Sequence, residues 1–262
     1  MLFAIDVGNT SINMGLFEGE RLVNSWRLMS GIDRSADEYG SLLFSLLQRQ
    51  GVQISAIRGA VLCSVVPPLV PVFQEVCTKY LDTHALVVEP GIKTGLRLLV
   101  DNPRELGPDR VANVVAGTRL YGKPLIVIDF GTATTFDVVS QEGDFLGGAI
   151  APGISISSEA LFSRTAALPR IELLRPKHAI GHGTVSAMQS GIIFGYIGLV
   201  EKIVAEISAE LEGEPKIVAT GGYADMFTRE IPIIQVSNPD LSLTGLRLIY
   251  EMNIMDSRGT VG

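Results

Sequence analysis

Asp6, Gly8, Asn9 and Thr10 close the segment Leu2–Thr10, LFAIDVGNT, where a short apolar run stops abruptly in polar residues. Leu2, Phe3, Ala4 and Ile5 are too few for a helix and predict a buried strand that runs into a turn. Gly8 lets the backbone turn sharply and bring its N–H groups close to a ligand, while Asn9 and Thr10 add donors. Exposed N–H groups and hydroxyls in one loop form an anion receptor. A carboxylate at the strand end can hold the waters of a metal ion bound to phosphate. The plain alternative is a hairpin turn with no ligand.

The same plan returns in Leu125–Thr135, LIVIDFGTATT: an apolar run, Asp129, one residue, Gly131 and then hydroxyl residues. Two such turns about half a chain apart, with a third glycine turn at Gly221-Gly222, suit a nucleoside triphosphate. No G-x-x-x-x-G-K-[ST] or G-x-G-x-x-G segment occurs, so neither a P-loop nor a Rossmann fingerprint carries the chemistry. Between the turns, Val100–Arg110, VDNPRELGPDR, has a loop's Pro and Gly content and leads into Val111, Val114 and Val115 at helical spacing. Gly107 and Pro108 fit the cap and first turn of that helix. Asp109 there has the ordinary role of offsetting the helix dipole. Arg110 has no such reason to stand in a first turn, which marks the pair for chemistry.

These residues must be positioned by a mixed set of elements. Ser11–Phe17 and Arg21–Arg27 predict strands, and Ser35 with Glu38 predicts a capped helix ending near Gly51. Gly59–Val66 predicts a strand stopped by Pro67-Pro68, followed by a helix to about Tyr80 and a short strand at Ala85–Glu89. After the second turn come strands at Thr134–Ser140 and Phe145–Ala151. The glycines of GGAIAPG then allow either a close backbone approach or a simple bend. Ser155–Phe162 predicts a helix, and Leu168–Pro176 an irregular connection. A long helix follows Gly181–Thr184, with Thr184 as a candidate N-cap. Its stripe of Ile192, Ile193, Tyr196, Leu199, Val200, Ile203, Val204 and Ile207 suits either its own core or a second subunit. Ile217–Thr220 predicts a strand, Leu241–Met252 a closing helix, and Asp256–Gly262 a frayed end.

Hydrophobic content of 47% against 19% charged residues, over 262 residues, describes a filled globular interior with room for two domains. A formal charge of −7 argues against a broad nucleic-acid surface. No apolar run has membrane length, and MLFAID lacks the basic segment of a signal peptide, so a cytoplasmic location is expected. Cys63 and Cys77 fit buried thiols better than a disulfide.

In order along the chain, DVGNT at 6–10, NPRELGPDR at 102–110, DFGTATTFD at 129–137, GGAIAPGI at 147–154, SAMQSG at 186–191 and ATGGYA at 219–224 resemble the motifs of type III pantothenate kinases. That family belongs to the acetate and sugar kinase, Hsp70 and actin superfamily. The resemblance implies an α/β fold of duplicated actin-like, ribonuclease H-like domains, each a mixed sheet flanked by helices, with an interdomain cleft. The expected boundaries are 1–118 for the N-terminal domain and 119–256 for the C-terminal domain carrying the long helix. It implies transfer of the ATP γ-phosphate, with Mg2+, to the primary hydroxyl of pantothenate, the first step towards coenzyme A.

By matching position, Asp6, Val7, Gly8, Asn9, Thr10, Ser11, Ile12, Asn13 and Thr132 would contact ATP. Val100, Gly107, Pro108, Asp109, Arg110 and Thr184 would line the pantothenate site, with Asp109 as catalytic base. Arg110 suits either the pantothenate carboxylate or an internal salt bridge. Asp129 would bind a monovalent cation, K+ or NH4+, or else cap its loop. The family implies a homodimer meeting along the long helix, with no nucleic-acid or membrane partner. Three positions depart from the family's pattern: Val100 stands where many members carry Tyr, Pro108 where Ala is common, and Gly183 where Asn is expected. Two other functions compete, a transcriptional accessory protein of the same family and another phosphotransferase or polyphosphate hydrolase on the same fold.

Overall fold

The computed structural model describes residues 1–259. An antiparallel meander of β1 (Leu2–Val7), β2 (Ser11–Glu18) and β3 (Arg21–Met29) begins the chain. Helix α1 (Ala36–Arg49) leads to β4 (Gly59–Ser64), and α2 (Leu69–Leu81) leads to β5 (Ala85–Val87). Both crossovers return in parallel, β4 on β1 and β5 on β4, which gives the order β3-β2-β1-β4-β5. Helix α3 (Pro108–Tyr121) follows.

The plan then repeats. β6 (Leu125–Phe130), β7 (Ala133–Val139) and β8 (Phe145–Pro152) form a second antiparallel meander. Helices α4 (Ile154–Arg164) and α5 (Thr184–Glu210) lead to β9 (Lys216–Thr220), and α6 (Ala224–Thr228) leads to β10 (Val236–Ser237). Read from the other edge, the order β10-β9-β6-β7-β8 is that of the first sheet. The duplication expected from two similar turns is therefore present in the strand order and in every strand direction.

Chain contacts divide the protein into one unit of residues 1–96, 101–116 and Leu241 onward, and a second of 97–100 and 117–240. The closing helix α7 (Leu241–Gly259), grouped with the second half in the sequence reading, thus packs in the first unit. The reason is its apolar face: Leu243, Leu246 and Ile249 are buried with Ala4, Val61 and Ala112. α7 also runs past Met252, and residues 260–262, part of the segment expected to fray, lie outside the described residues.

Local signals explain most element ends. Ser35 Oγ accepts from the Glu38 N–H at 3.3 Å while Glu38 Oε2 accepts from the Ser35 N–H at 2.8 Å, the reciprocal cap expected for α1. Pro68 precedes the first residue of α2. Thr184 is the first helical residue of α5 and not its cap. Gly183 holds that position, its N–H donating to Ser186 Oγ at 3.2 Å. The α5 stripe serves the core of its own unit, where Ile193, Tyr196, Val200 and Val204 are buried and Ile192, Leu199, Ile203 and Ile207 pack against them. Cys63 and Cys77 are buried free thiols.

In the second unit, Arg97 Nε donates to Asp144 Oδ1 at 2.9 Å, beside the bridge between Leu98 and Phe145. This hydrogen bond from the guanidinium, with its charge, holds the Asp144 carboxyl below the usual carboxylate range. A carboxyl whose pKa is lowered by folding stabilises the fold above its unfolded pKa, and that stabilisation is lost as pH falls through the folded value. Asp144→Asn is therefore expected to flatten the acid limb of stability: between about pH 5 and pH 3 its melting temperature falls less steeply than that of the wild type. Parallel limbs in a pH series of thermal melts would count against this pairing.

Candidate active site

The first sheet sorts its side chains by strand alternation. Phe3, Ile5 and Val7 of β1, with Ala60 and Leu62 of β4, face the core formed with α1 and α2. Ala4 of β1 and Val61 and Cys63 of β4 face α3 and α7. Asp6, two residues after Ala4, belongs to that second face at the carboxyl end of β1, directly beside Cys63 in the parallel register. Carboxyl ends of parallel strands are where open α/β sheets collect ligands.

Asp6 is only 8% exposed and its oxygens are engaged: Oδ2 accepts from Ser242 Oγ at 2.8 Å and from Asn13 Nδ2 at 3.4 Å, and Oδ1 from Cys63 Sγ at 3.3 Å. Asp109 stands in the first turn of α3. Its Oδ1 accepts from the Arg110 N–H at 2.9 Å. Gly107 holds this corner against the sheet, since a Cβ there would crowd Asp109 Oδ1 and lie 3.7 Å from Val65 Cγ1. Val65 in turn donates to the Val7 carbonyl at 3.0 Å. Burial pushes the Cys63 pKa well up, and the negative charges of Asp6 and Asp109 push it further. By strand register and the Gly107–Val65 packing, the ends of β1 and β4 and the start of α3 meet at one corner.

The turn between β1 and β2 is braced from outside. Gly8 N–H donates to Ser11 O at 3.0 Å, Ser30 Oγ to Gly8 O at 2.6 Å, and Ser30 N–H to Thr10 O at 3.0 Å. Asn9 and Thr10 are exposed at its tip. Val7 and Ile12 are fully buried in the core, so any contact of theirs with a nucleotide runs through the backbone. Ser11 and Asn13 are half-buried.

In the second unit the equivalent turn is braced by glycines. Asp129 pairs in register with Thr220, as Asp6 does with Cys63. Gly131 N–H donates to Ala133 O at 3.1 Å, and Gly153 N–H to Thr132 O at 3.2 Å. A Cβ on Gly153 would fall 2.9 Å from the Thr132 carbonyl carbon and closer still to the Gly131 and Thr132 oxygens. The glycines of GGAIAPG thus serve close backbone approach. Gly221, with φ of +89°, lies against Asp129 and Phe130. Thr132 is exposed and Asp129 half-buried.

Two further expected residues lie elsewhere in that unit. Val100 is half-buried, with its Cγ1 3.7 Å from where a Gly147 Cβ would stand. Thr184 is exposed on a hollow of about 720 Å³ lined by Leu161, Leu168, Met188, Ile192 and Leu199. Pro108 and Arg110 are half-buried beside Asp109. Sequence reasoning did not find Cys63 or Ser242 as neighbours of Asp6. The first is revealed by strand register and the second by a helix 236 residues away.

The donor chemistry suits hard cations. Among the described residues no three His, Cys, Asp or Glu side chains group as a ready metal centre. The Asp6 carboxylate, together with phosphate oxygens and water, would suit a divalent ion such as Mg2+. Beside Asp129, a Cβ on Gly221 would crowd Oδ1, so only glycine lets this turn pack so closely on the carboxylate. Among the described residues no helix is long and apolar enough to cross a membrane.

Duplicated five-stranded mixed sheets with a carboxylate and a polar turn at each equivalent strand end define a two-unit α/β fold of actin-like plan. Solved structures share it. A putative Baf family transcriptional activator from Campylobacter jejuni superposes with a TM-score of 0.63 at 18% identity, covering 97% of this chain and 99% of that one. The activator of 2-hydroxyisocaproyl-CoA dehydratase from Clostridium difficile, solved with bound ADPNP, gives 0.58 at 12% identity, covering 100% and 98%.

The profile of the type III pantothenate kinase family matches residues 2–206. Type III pantothenate kinases from Geobacillus kaustophilus and Moorella thermoacetica are each 51% identical over 253 residues. The alignments cover 97% of this chain and 98% and 100% of theirs. The chain belongs to the type III pantothenate kinase family, whose members are ATP-dependent phosphotransferases.

Proposed function

We propose that this chain transfers the γ-phosphate of ATP to the primary hydroxyl of pantothenate, giving 4′-phosphopantothenate. The observation that carries the reading is that Asp6 stands beside Cys63 at the carboxyl end of β1, while Gly107, against Asp109 and with an added Cβ 3.7 Å from Val65 Cγ1, brings the start of α3 to the same strand ends. In this reading ATP is taken by the turn from Asp6 to Asn13 and by Thr132. Pantothenate is taken by Val100, Gly107 to Arg110 and Thr184. A divalent ion on the phosphates supplies neutralisation of charge that develops in transfer.

Asp109 orients the alcohol and accepts its proton. The transition state of phosphoryl transfer is loose, so the attacking oxygen gains little bonding early and its proton leaves late. An ordinary carboxylate is sufficient for that work. Arg110 meets the pantothenate carboxylate with its planar fork. Asp129 serves K+ or NH4+, a role supported by its half-buried carboxylate near the end of β6, the place Asp6 holds in β1. The reaction draws on ATP and belongs in the cytoplasm.

The proposed working form is a homodimer that meets along α5. Gly191, Gly195 and Gly198 are exposed there with nothing within 4 Å of an added Cβ, next to the apolar hollow. Sedimentation equilibrium is expected to give twice the chain mass, and a monomer at micromolar concentration would remove this part of the reading.

The kinase is tested by following ADP release with potassium present, with and without pantothenate, and then with a hexosamine as acceptor. Pantothenate-dependent release is the expected result. Hydrolysis indifferent to the acceptor would replace the reading with a polyphosphate or nucleotide hydrolase, and silence throughout would favour a binding protein.

A further inference from the structure

Asp6 receives its shortest hydrogen bond, 2.8 Å, from a residue at the opposite end of the chain, Ser242 Oγ in the first turn of α7. The other donors are longer, Cys63 Sγ at 3.3 Å and Asn13 Nδ2 at 3.4 Å. Asn13 is itself oriented, because Arg27 Nε donates to its Oδ1 at 2.8 Å and so turns its amide nitrogen toward Asp6. Ser242 is buried, and α7 is pinned beneath it by Leu243, Leu246 and Ile249. The hydroxyl therefore has a fixed place from which to donate.

A carboxylate this buried needs donors to remain charged. Were the charge idle, an apolar residue at this strand end would pack at no such cost. The arrangement holds the Asp6 side chain by three donors and leaves it still 8% exposed at the turn. We infer that Ser242 is a positioning residue for nucleotide binding, fixing the Asp6 carboxylate in the orientation that receives the hydrated divalent ion of bound ATP. This rests on the kinase reading and adds to it a residue outside every motif that carries the family resemblance.

Ser242→Ala removes one hydrogen bond to a charged acceptor, which weakens its partner's placement by about tenfold. Titration calorimetry with a non-hydrolysable ATP analogue is expected to give a Kd about tenfold higher with Mg2+ present and little change in EDTA. The KM for ATP rises in parallel while that for pantothenate stays put. Ser242→Thr, which keeps the hydroxyl, restores most of the affinity. Ser242→Cys, nearly the same size with a weak donor, falls between wild type and Ala and carries the test should Ala fail to fold.

An unchanged Kd in Ser242→Ala or Ser242→Cys overturns the proposal, whatever the melting temperature does. So does a loss of ATP and pantothenate affinity in equal measure that follows the loss of stability. If the wild type binds the analogue with Mg2+ and these variants match it, only the role of Ser242 falls. If the wild type binds none, the kinase reading falls with it.

Discussion

Asp109→Asn is expected to lower pantothenate-dependent ADP release by about 10²–10⁴-fold and to leave the fold intact. The substitution is nearly isosteric, and the amide oxygen can still accept the Arg110 N–H that Asp109 Oδ1 accepts at 2.9 Å. What it removes is the charge and the capacity to take a proton. In the first turn of α3 the charge is favourable by about 0.3–1 kcal/mol, so a melting temperature within about 4 °C of wild type is expected. Turnover within about threefold of wild type, under conditions where chemistry limits the rate, would remove Asp109 as the base and leave the dipole explanation standing.

Gly221→Ala is expected to cost both stability and the cation response. At φ of +89° the backbone is in the region that favours glycine, and an L side chain there carries a penalty of about 1–2 kcal/mol. The added Cβ also falls 2.8 Å from both the amide nitrogen and the carbonyl carbon of Phe130, and closer to Asp129 Oδ1. Phe130 backbone cannot swing away as a flexible side chain would, because β6 is paired on both sides, with β7 and β9. Strain and displacement together amount to about 2–4 kcal/mol, or a fall of about 5–15 °C in melting temperature. Because the displaced atoms are those of the proposed cation site, the potassium concentration for half-maximal turnover should rise by about tenfold or more. A variant melting within about 2 °C of wild type with an unaltered potassium titration would sink both the steric argument and the role assigned to Asp129.

Much of the site was legible because its signals are local. A run of four apolar residues broken by Asp, Gly, Asn and Thr fixes a strand and its turn within ten positions, and the same pattern at Leu125–Thr135 exposes the duplication. Gly107-Pro108 likewise announces the start of α3 with Asp109 in its first turn. The Ser35–Glu38 cap is read from spacing and found in both directions. Where the local reading went astray, it did so at Thr184. A hydroxyl residue preceding a helix suggests a cap, but Gly183 takes the extended conformation and Ser186 supplies the bond from within the helix.

The residue order by itself determined the strand-end carboxylates, the glycine turns and the start of the mid-chain helix, since each follows from chain stiffness and polarity over a few neighbouring positions. Only the tertiary structure decided that α7 closes the first unit, that Ser242 reaches Asp6 and that Cys63 stands against the Asp6 carboxylate. Those contacts depend on parallel strand register and on which face of a sheet each helix buries. Both are set by packing among segments as much as 236 residues apart, a distance over which no local pattern in the chain carries information.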